Sequence, residues 1–148
     1  MRISTKGRYA LAAAVCMAQR QSGGDYITAI SISEKLGISK IYLEQVFALL
    51  KRGGIVLSGK GAQGGYLLAR SPAQITAFEV LASVESALFD ETEETVPGKA
   101  PDIESAMQSA VFESLDRAVK TTLTKVTLED LVAQAQSHDH GSAHMFYI

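Results

Sequence analysis

The residues able to do chemistry fall into four groups. His138, Asp139, His140 and His144 crowd one short stretch near the C-terminus. Three imidazoles and a carboxylate can ligate a metal, but ligands need outer groups to hold them, and a short tail supplies none. The stretch therefore reads as a solvated tail, whose apolar end Met145-Phe146-Tyr147-Ile148 packs on another surface such as a partner subunit. Cys16 is the single cysteine. It lies among Ala14, Val15, Met17 and Ala18, with no charged neighbour in sequence, and reads as a small buried hydrophobe in preference to a redox switch. Alone it makes no internal disulfide and cannot hold a zinc ion or an iron–sulfur cluster. The third group, Gly59-Lys60-Gly61-Ala62-Gln63-Gly64, matches G-x-G-x-x-G after a strand. A dinucleotide site needs the last glycine to open a helix whose N-terminus meets the pyrophosphate. Here the chain runs on through Tyr66-Leu67-Leu68 to Pro72, which is strand and turn. No nucleophile–base–orienter set recurs either, so the sequence points to no enzyme. The fourth group is Lys40, Ile41, Tyr42, Glu44 and Gln45. A side-chain amide pairs with adenine, an apolar branch meets a thymine methyl and a carboxylate accepts from cytosine, so this set can read base edges.

Those residues need a helix to present them. Thr5 to Gln21 is Ala-rich and free of proline, and Gly23-Gly24 stops the pattern, which predicts a first helix. Thr28 caps a second helix through Leu36, and Gly37 ends it. Ser39 caps a third, running to Arg52 and closed by Gly53-Gly54. Two helices across a short glycine-containing turn make a helix-turn-helix. In the third helix Leu43, Val46, Phe47 and Leu50 recur at i, i+3, i+4 and i+7, an inward stripe. Opposite it lie Ile41, Gln45, Ala48 and Arg52, flanked by Lys40, Tyr42 and Glu44. Ile55–Ser58 and Gly65–Arg70 then read as two strands of a hairpin. Its tip carries Lys60 and Gly61, and glycine lets backbone approach a sugar–phosphate chain closely. The DNA-contact candidates are thus Lys6, Thr28, Ser39, Lys40, Ile41, Tyr42, Glu44, Gln45, Lys60 and Gly61.

Downstream, Thr76-Ala77-Phe78-Glu79 is a capping box with Ile75 and Val80 as its staple, predicting a helix to about Leu88. Asp90 to Pro101 is an acidic loop. From Asp102 a long helix runs to about Thr122, with Ile103, Met107, Val111, Leu115 and Val119 on one apolar side. Such a stripe is too long for one thin winged domain to cover, so these five residues are the dimerisation candidates. Thr127-Leu128-Glu129-Asp130 opens a short helix ending near Gln136. The resulting division is a winged helix-turn-helix over 1–88, a loop over 89–101, dimerisation and C-terminal helices over 102–136, and a tail over 137–148. The fold class is mainly α with one small β-hairpin.

Charge supports the same partition. Residues 1–70 carry ten Lys or Arg against three acids, and residues 71–148 carry four against thirteen. A basic half beside an acidic half suggests a polyanion partner for the first. No run of eighteen apolar residues is present, and the opening residues lack the apolar core of a signal peptide, which points to the cytoplasm.

Met1-Arg2-Ile3-Ser4-Thr5-Lys6-Gly7-Arg8-Tyr9-Ala10, Gly37-Ile38-Ser39, Tyr42-Leu43-Glu44-Gln45 and Gly61-Ala62-Gln63-Gly64-Gly65-Tyr66-Leu67-Leu68 together resemble the Rrf2 family of winged helix-turn-helix regulators, the group of IscR, NsrR and CymR. The likeness continues through Thr127-Leu128-Glu129-Asp130-Leu131. It implies a homodimer paired through the long helix, with one recognition helix and one wing per half-site. It also implies a transcriptional regulator, here a repressor, acting on a pseudo-palindromic duplex operator. Cluster-binding members place three cysteines before the long helix. Here Asp90–Pro101 has none, and Ala106 and Ser109 fill the neighbourhood of a last cysteine and a further ligand. The expectation is a cluster-free member with no cofactor, responding to a small-molecule or protein effector that the residues do not identify. The competing function is a protein-interaction adaptor on the same scaffold, against which the basic half and the Tyr42/Gln45/Lys60 set weigh.

Overall fold

The computed structural model describes residues 2–20, 24–59 and 64–146, with side chains through Asp139. Helix α1 (Thr5–Arg20) is followed by α2 (Ala29–Leu36) and α3 (Lys40–Arg52). An antiparallel hairpin of β1 (Val56–Ser58) and β2 (Tyr66–Leu68) comes next, pairing Val56 with Leu68 and Ser58 with Tyr66. A single 3-10 turn, Pro72–Gln74, leads into α4 (Ala77–Val84). This is the winged helix-turn-helix the spacing predicts, mainly helical with one small hairpin.

Local chemistry sets most of the boundaries. Thr28 Oγ1 accepts from Ser31 N at 3.2 Å, and Gly37 ends α2 at a φ of 69°. Ser39 Oγ accepts from Tyr42 N at 3.2 Å to start α3. Both halves of the Thr76/Glu79 capping box are made. The core joins Ala10, Ala13, Ala14 and Met17 of α1 to Ile32, Leu43, Val46, Phe47, Leu50, Ile75 and Val80, and Cys16 sits in it at 2% exposure. Large-to-small changes here would cost about 2–5 kcal/mol each.

Three boundaries differ from the sequence reading. Helix α4 stops at Val84 rather than near Leu88, because Glu85 is extended and its carboxylate is drawn back to Ser4. The long helix starts at Pro101 and reaches Thr124: α5 (Pro101–Met107) and α6 (Glu113–Thr124) join through a π turn at Gln108–Phe112, with helical dihedrals at both junctions. Helix α7 (Leu128–Phe146) passes the expected end near Gln136 and takes in most of the supposed tail, since no proline and no glycine before Gly141 stops it. Thr127 and Asp130 form a reciprocal cap at its start, at 2.9 and 3.1 Å. The first turn of α7 is tied to α4 by Ala77 N donating to Val126 O and Leu128 N to Ile75 O, and Leu128 is fully buried in the winged-domain core.

Candidate nucleic-acid interface

The inward stripe of α3 is completely buried: Leu43, Val46, Phe47 and Leu50 are each 0% exposed. Helical geometry then forces the opposite face outward. Ile41 is 73% exposed, and Gln45, Ala48 and Arg52 are exposed with it. Left in water, this side chain forgoes most of the roughly 1.5–3 kcal/mol that burying an isoleucine is worth, and its apolar surface stays open to a partner. Lys40 and Glu44 stand beside this face, 3.5 Å apart and each about half exposed. A solvated pair in that geometry contributes under about 0.5 kcal/mol, so both ends are available to a partner.

Tyr42 plays a mixed part. It is half-buried, and its ring meets Tyr9 edge-on at 5.1 Å, which fixes the ring against α1. Thr28 and Ser39 accept with their oxygens at the caps of α2 and α3, and each hydroxyl keeps one O–H donor. Lys6 is half-buried on the first turn of α1. The wing packs on the same helix, with Tyr66 stacked on Phe47 at 4.3 Å and 10° between planes. Burial, and secondarily the charge of Glu44, holds the Tyr66 phenol above its ordinary value. Lys60 and Gly61 lie outside the described residues, as do the side chains of His140 and His144. The structure thus brings Lys40, Ile41, Tyr42, Glu44 and Gln45 together on α3.

Arg70, one of the ten cations of the first half, is consumed by the fold. It donates to Glu79 Oε2 at 2.8 Å and to Gln74 O at 2.8 Å, and its hydrogen bond holds the Glu79 carboxyl below the usual range. Sequence reasoning missed the anchoring of Ser4 as well. Glu85 Oε1 accepts from Ser4 N at 3.0 Å and Ser4 Oγ at 2.9 Å, while Ser4 Oγ accepts from Gly7 N at 3.0 Å. These bonds join the end of α4 to the start of α1 across 81 positions, a separation that no local pattern reveals.

On the long helix, Ile103, Val111 and Leu115 are 54%, 53% and 56% exposed, while Met107 and Val119 are half-buried. Val119 turns toward α4, where Phe78 and Phe89 pack at 4.9 Å and Lys120 lies 5.4 Å above the Phe78 ring. Sequence reasoning also missed Glu104, which is 5% exposed. Its Oε1 accepts from Thr95 N at 2.5 Å and Val96 N at 2.7 Å, and its Oε2 from Gln108 Nε2 at 3.3 Å. The two backbone N–H groups hold this carboxyl below the ordinary carboxylate range.

Residues 3–134 match the Rrf2 family, described as iron-dependent transcriptional regulators. The HTH-type transcriptional regulator IscR of Cronobacter sakazakii is 34% identical over 149 residues, covering 97% of this chain and 91% of its own. CymR of Bacillus subtilis is 33% identical over 148 residues, 100% of both chains. The solved structure of B. subtilis CymR, a global cysteine regulator, matches with a TM-score of 0.72 at 32% identity, covering 90% of this chain and 98% of that one. T. potens IscR matches at 0.70 and 32%, covering 91% and 88%. The residues present do not fit a cysteine-held iron cluster. Residues 89–101 contain neither cysteine nor histidine, Cys16 is packed in the core, and the Glu104 oxygens are taken by Thr95, Val96 and Gln108. No helix of the described residues is long and apolar enough to cross a membrane. A match of this extent, to regulators that share the winged architecture, places the chain in the Rrf2 family: it is a DNA-binding transcriptional regulator and not an enzyme.

Proposed function

We propose that the chain acts as a homodimer on a pseudo-palindromic operator, without an iron–sulfur cluster, and represses by occupying that site. The observation that carries this reading is the outer face of α3, where Ile41 and Gln45 project from a helix whose other face is wholly buried. A helix fixed that way can enter a major groove with Gln45 aimed at adenine and Ile41 at a thymine methyl. Lys40, Glu44 and Tyr42 flank the reading pair, and Lys6, Thr28 and Ser39 offer donors to phosphates beside it. Lys60 and Gly61 at the wing tip meet the sugar–phosphate backbone or the minor groove.

Dimerisation follows from Ile103, Val111 and Leu115, which leave apolar surface open along one side of the long helix, with Met107 and Val119 at its margin. A second copy offers the same stripe, so a two-fold pairing buries both. An effector, whether small molecule or protein, would change DNA affinity by shifting this pairing. A cavity of about 900 Å³ has Leu115 and Val119 in its lining.

The test compares affinities for operator and scrambled duplex across salt concentrations. Gln45→Ala is expected to lose about 1–3 kcal/mol on the operator and to relax discrimination at one base pair per half-site. Lys60→Ala is expected to weaken both duplexes evenly and to lower the salt slope by about one contact per subunit. Equal losses on both duplexes for Gln45→Ala would show that another face of α3 reads the bases. Anaerobically purified protein should show no iron–sulfur absorbance, and a brown protein with stoichiometric iron and sulfide would overturn the cluster-free reading.

A further inference from the structure

The outer face of the wing's stem carries two glycines and one tyrosine. Successive strand residues face opposite sides of a sheet. Val56 is buried and Ser58 half-buried on the inner side, which leaves Leu57 and Gly59 outward. On the return, Tyr66 turns inward onto Phe47, which leaves Gly65 and Leu67 outward. Ile27 adds a third rung: its N–H donates to Tyr66 O at 2.9 Å, and Tyr66 N–H donates to Ile27 O at 2.8 Å. Ile27 is buried, so the preceding Tyr26 turns outward, where it is 50% exposed.

Tyr26 touches both sides of the stem at one level. Its ring lies over Gly59, where an added Cβ would stand 2.8 Å from Cδ1 and 3.0 Å from Cε1. Its own Cβ lies beside Gly65, where an added Cβ would stand 3.1 Å from it and where φ is +106°. Gly59 N–H donates to Gly65 O at 2.8 Å, the last described hydrogen bond between the strands before residues 60–63. A rung between two glycines has no cross-strand side chains to hold it, and an aromatic ring laid across such glycines restores that packing.

We propose that Tyr26 is a positioning residue for the wing. Its ring keeps the Gly59–Gly65 rung closed and so holds the stem on which the wing tip is carried. The ring face does this, not the hydroxyl. A stem held in the bound geometry lowers the ordering cost of docking the tip. The inference rests on the reading that the wing contacts DNA.

The experiment has two readouts on the full chain: amide hydrogen exchange at Gly59 in the free protein, and affinity for a mixed-sequence duplex at fixed salt. Tyr26→Ala should speed Gly59 exchange by about tenfold or more, while Tyr26→Phe keeps the wild-type rate. Tyr26→Ala should weaken the duplex about three- to tenfold, the size of losing one charged contact, and Lys60→Ala should lose about as much. The double variant should be little worse than either, because both changes remove the same wing contact. If Tyr26→Ala does not fold, Tyr26→Leu keeps apolar bulk without a flat ring and should show the same changes at smaller size. Unchanged Gly59 exchange overturns the hold of Tyr26 alone. Additive losses, or a Tyr26→Phe protein as weak as Tyr26→Ala, overturn the positioning role in favour of a direct contact. A Lys60→Ala protein that binds as tightly as wild type overturns the wing reading itself, and with it any role for Tyr26 in DNA binding.

Discussion

Ser4 shows what a single residue contributes that no pattern announces. Its oxygen receives Gly7 N–H at the start of α1 while its own N–H and O–H are held by Glu85 at the end of α4. Gly7 is far from Glu85 in sequence yet in contact with it, and a methyl there would collide with the carboxylate and with Ile3. Alanine normally favours a helix over glycine, so propensity predicts that Gly7→Ala stabilises. The packing predicts the reverse. Displacing Glu85 breaks two hydrogen bonds, and Gly7→Ala should lose about 1–3 kcal/mol in denaturant unfolding. Other residue-level assignments were legible because they are local: Ser39 to Tyr42, Thr76 to Glu79 and Thr127 to Asp130 each close within one turn. The exposure of Ile41 and Gln45 was legible for the same reason, since the buried stripe of α3 fixes its opposite face.

At the scale of elements, periodicity placed α1, α2, α3 and the wing, and it failed where an element ends by tertiary pull. Helix α4 stops early because Glu85 is recruited elsewhere, and α7 continues because nothing in Gln134–His138 stops it. The π turn at Gln108–Phe112 was also invisible, since its widening adds no residue type of its own. Along the long helix, replacing Val111 and Leu115 by Glu should convert a dimer to a monomer in sedimentation at tens of micromolar, because paired buried carboxylates are costly. Glu104 anchors the acidic segment before that helix. Its folded pKa lies below the ordinary 4.5, so the unfolded chain binds the proton more readily. The stability it supplies is therefore present at neutral pH and lost as pH falls from the ordinary carboxylate range through the lower folded value. Glu104→Gln should flatten the acid limb of a stability–pH profile, and an unchanged limb would show that this anchor does not matter to folding.

For the whole molecule, the separation of charge and the separation of faces coincide. The basic half carries α3 and the wing stem, the acidic half carries the segment and helix that leave apolar surface open, and the two are tied by Leu128 and Glu85 into one body. In the proposed homodimer two copies of α3 related by a two-fold axis would read DNA, and the site would carry that symmetry too. Sequencing duplexes selected from a random pool on the purified protein measures this directly. A two-fold dimer should enrich an inverted repeat whose half-sites lie about one helical turn, roughly 10 base pairs, or a multiple of it apart. Enrichment of a single unrepeated motif, or of no motif at all, would contradict it.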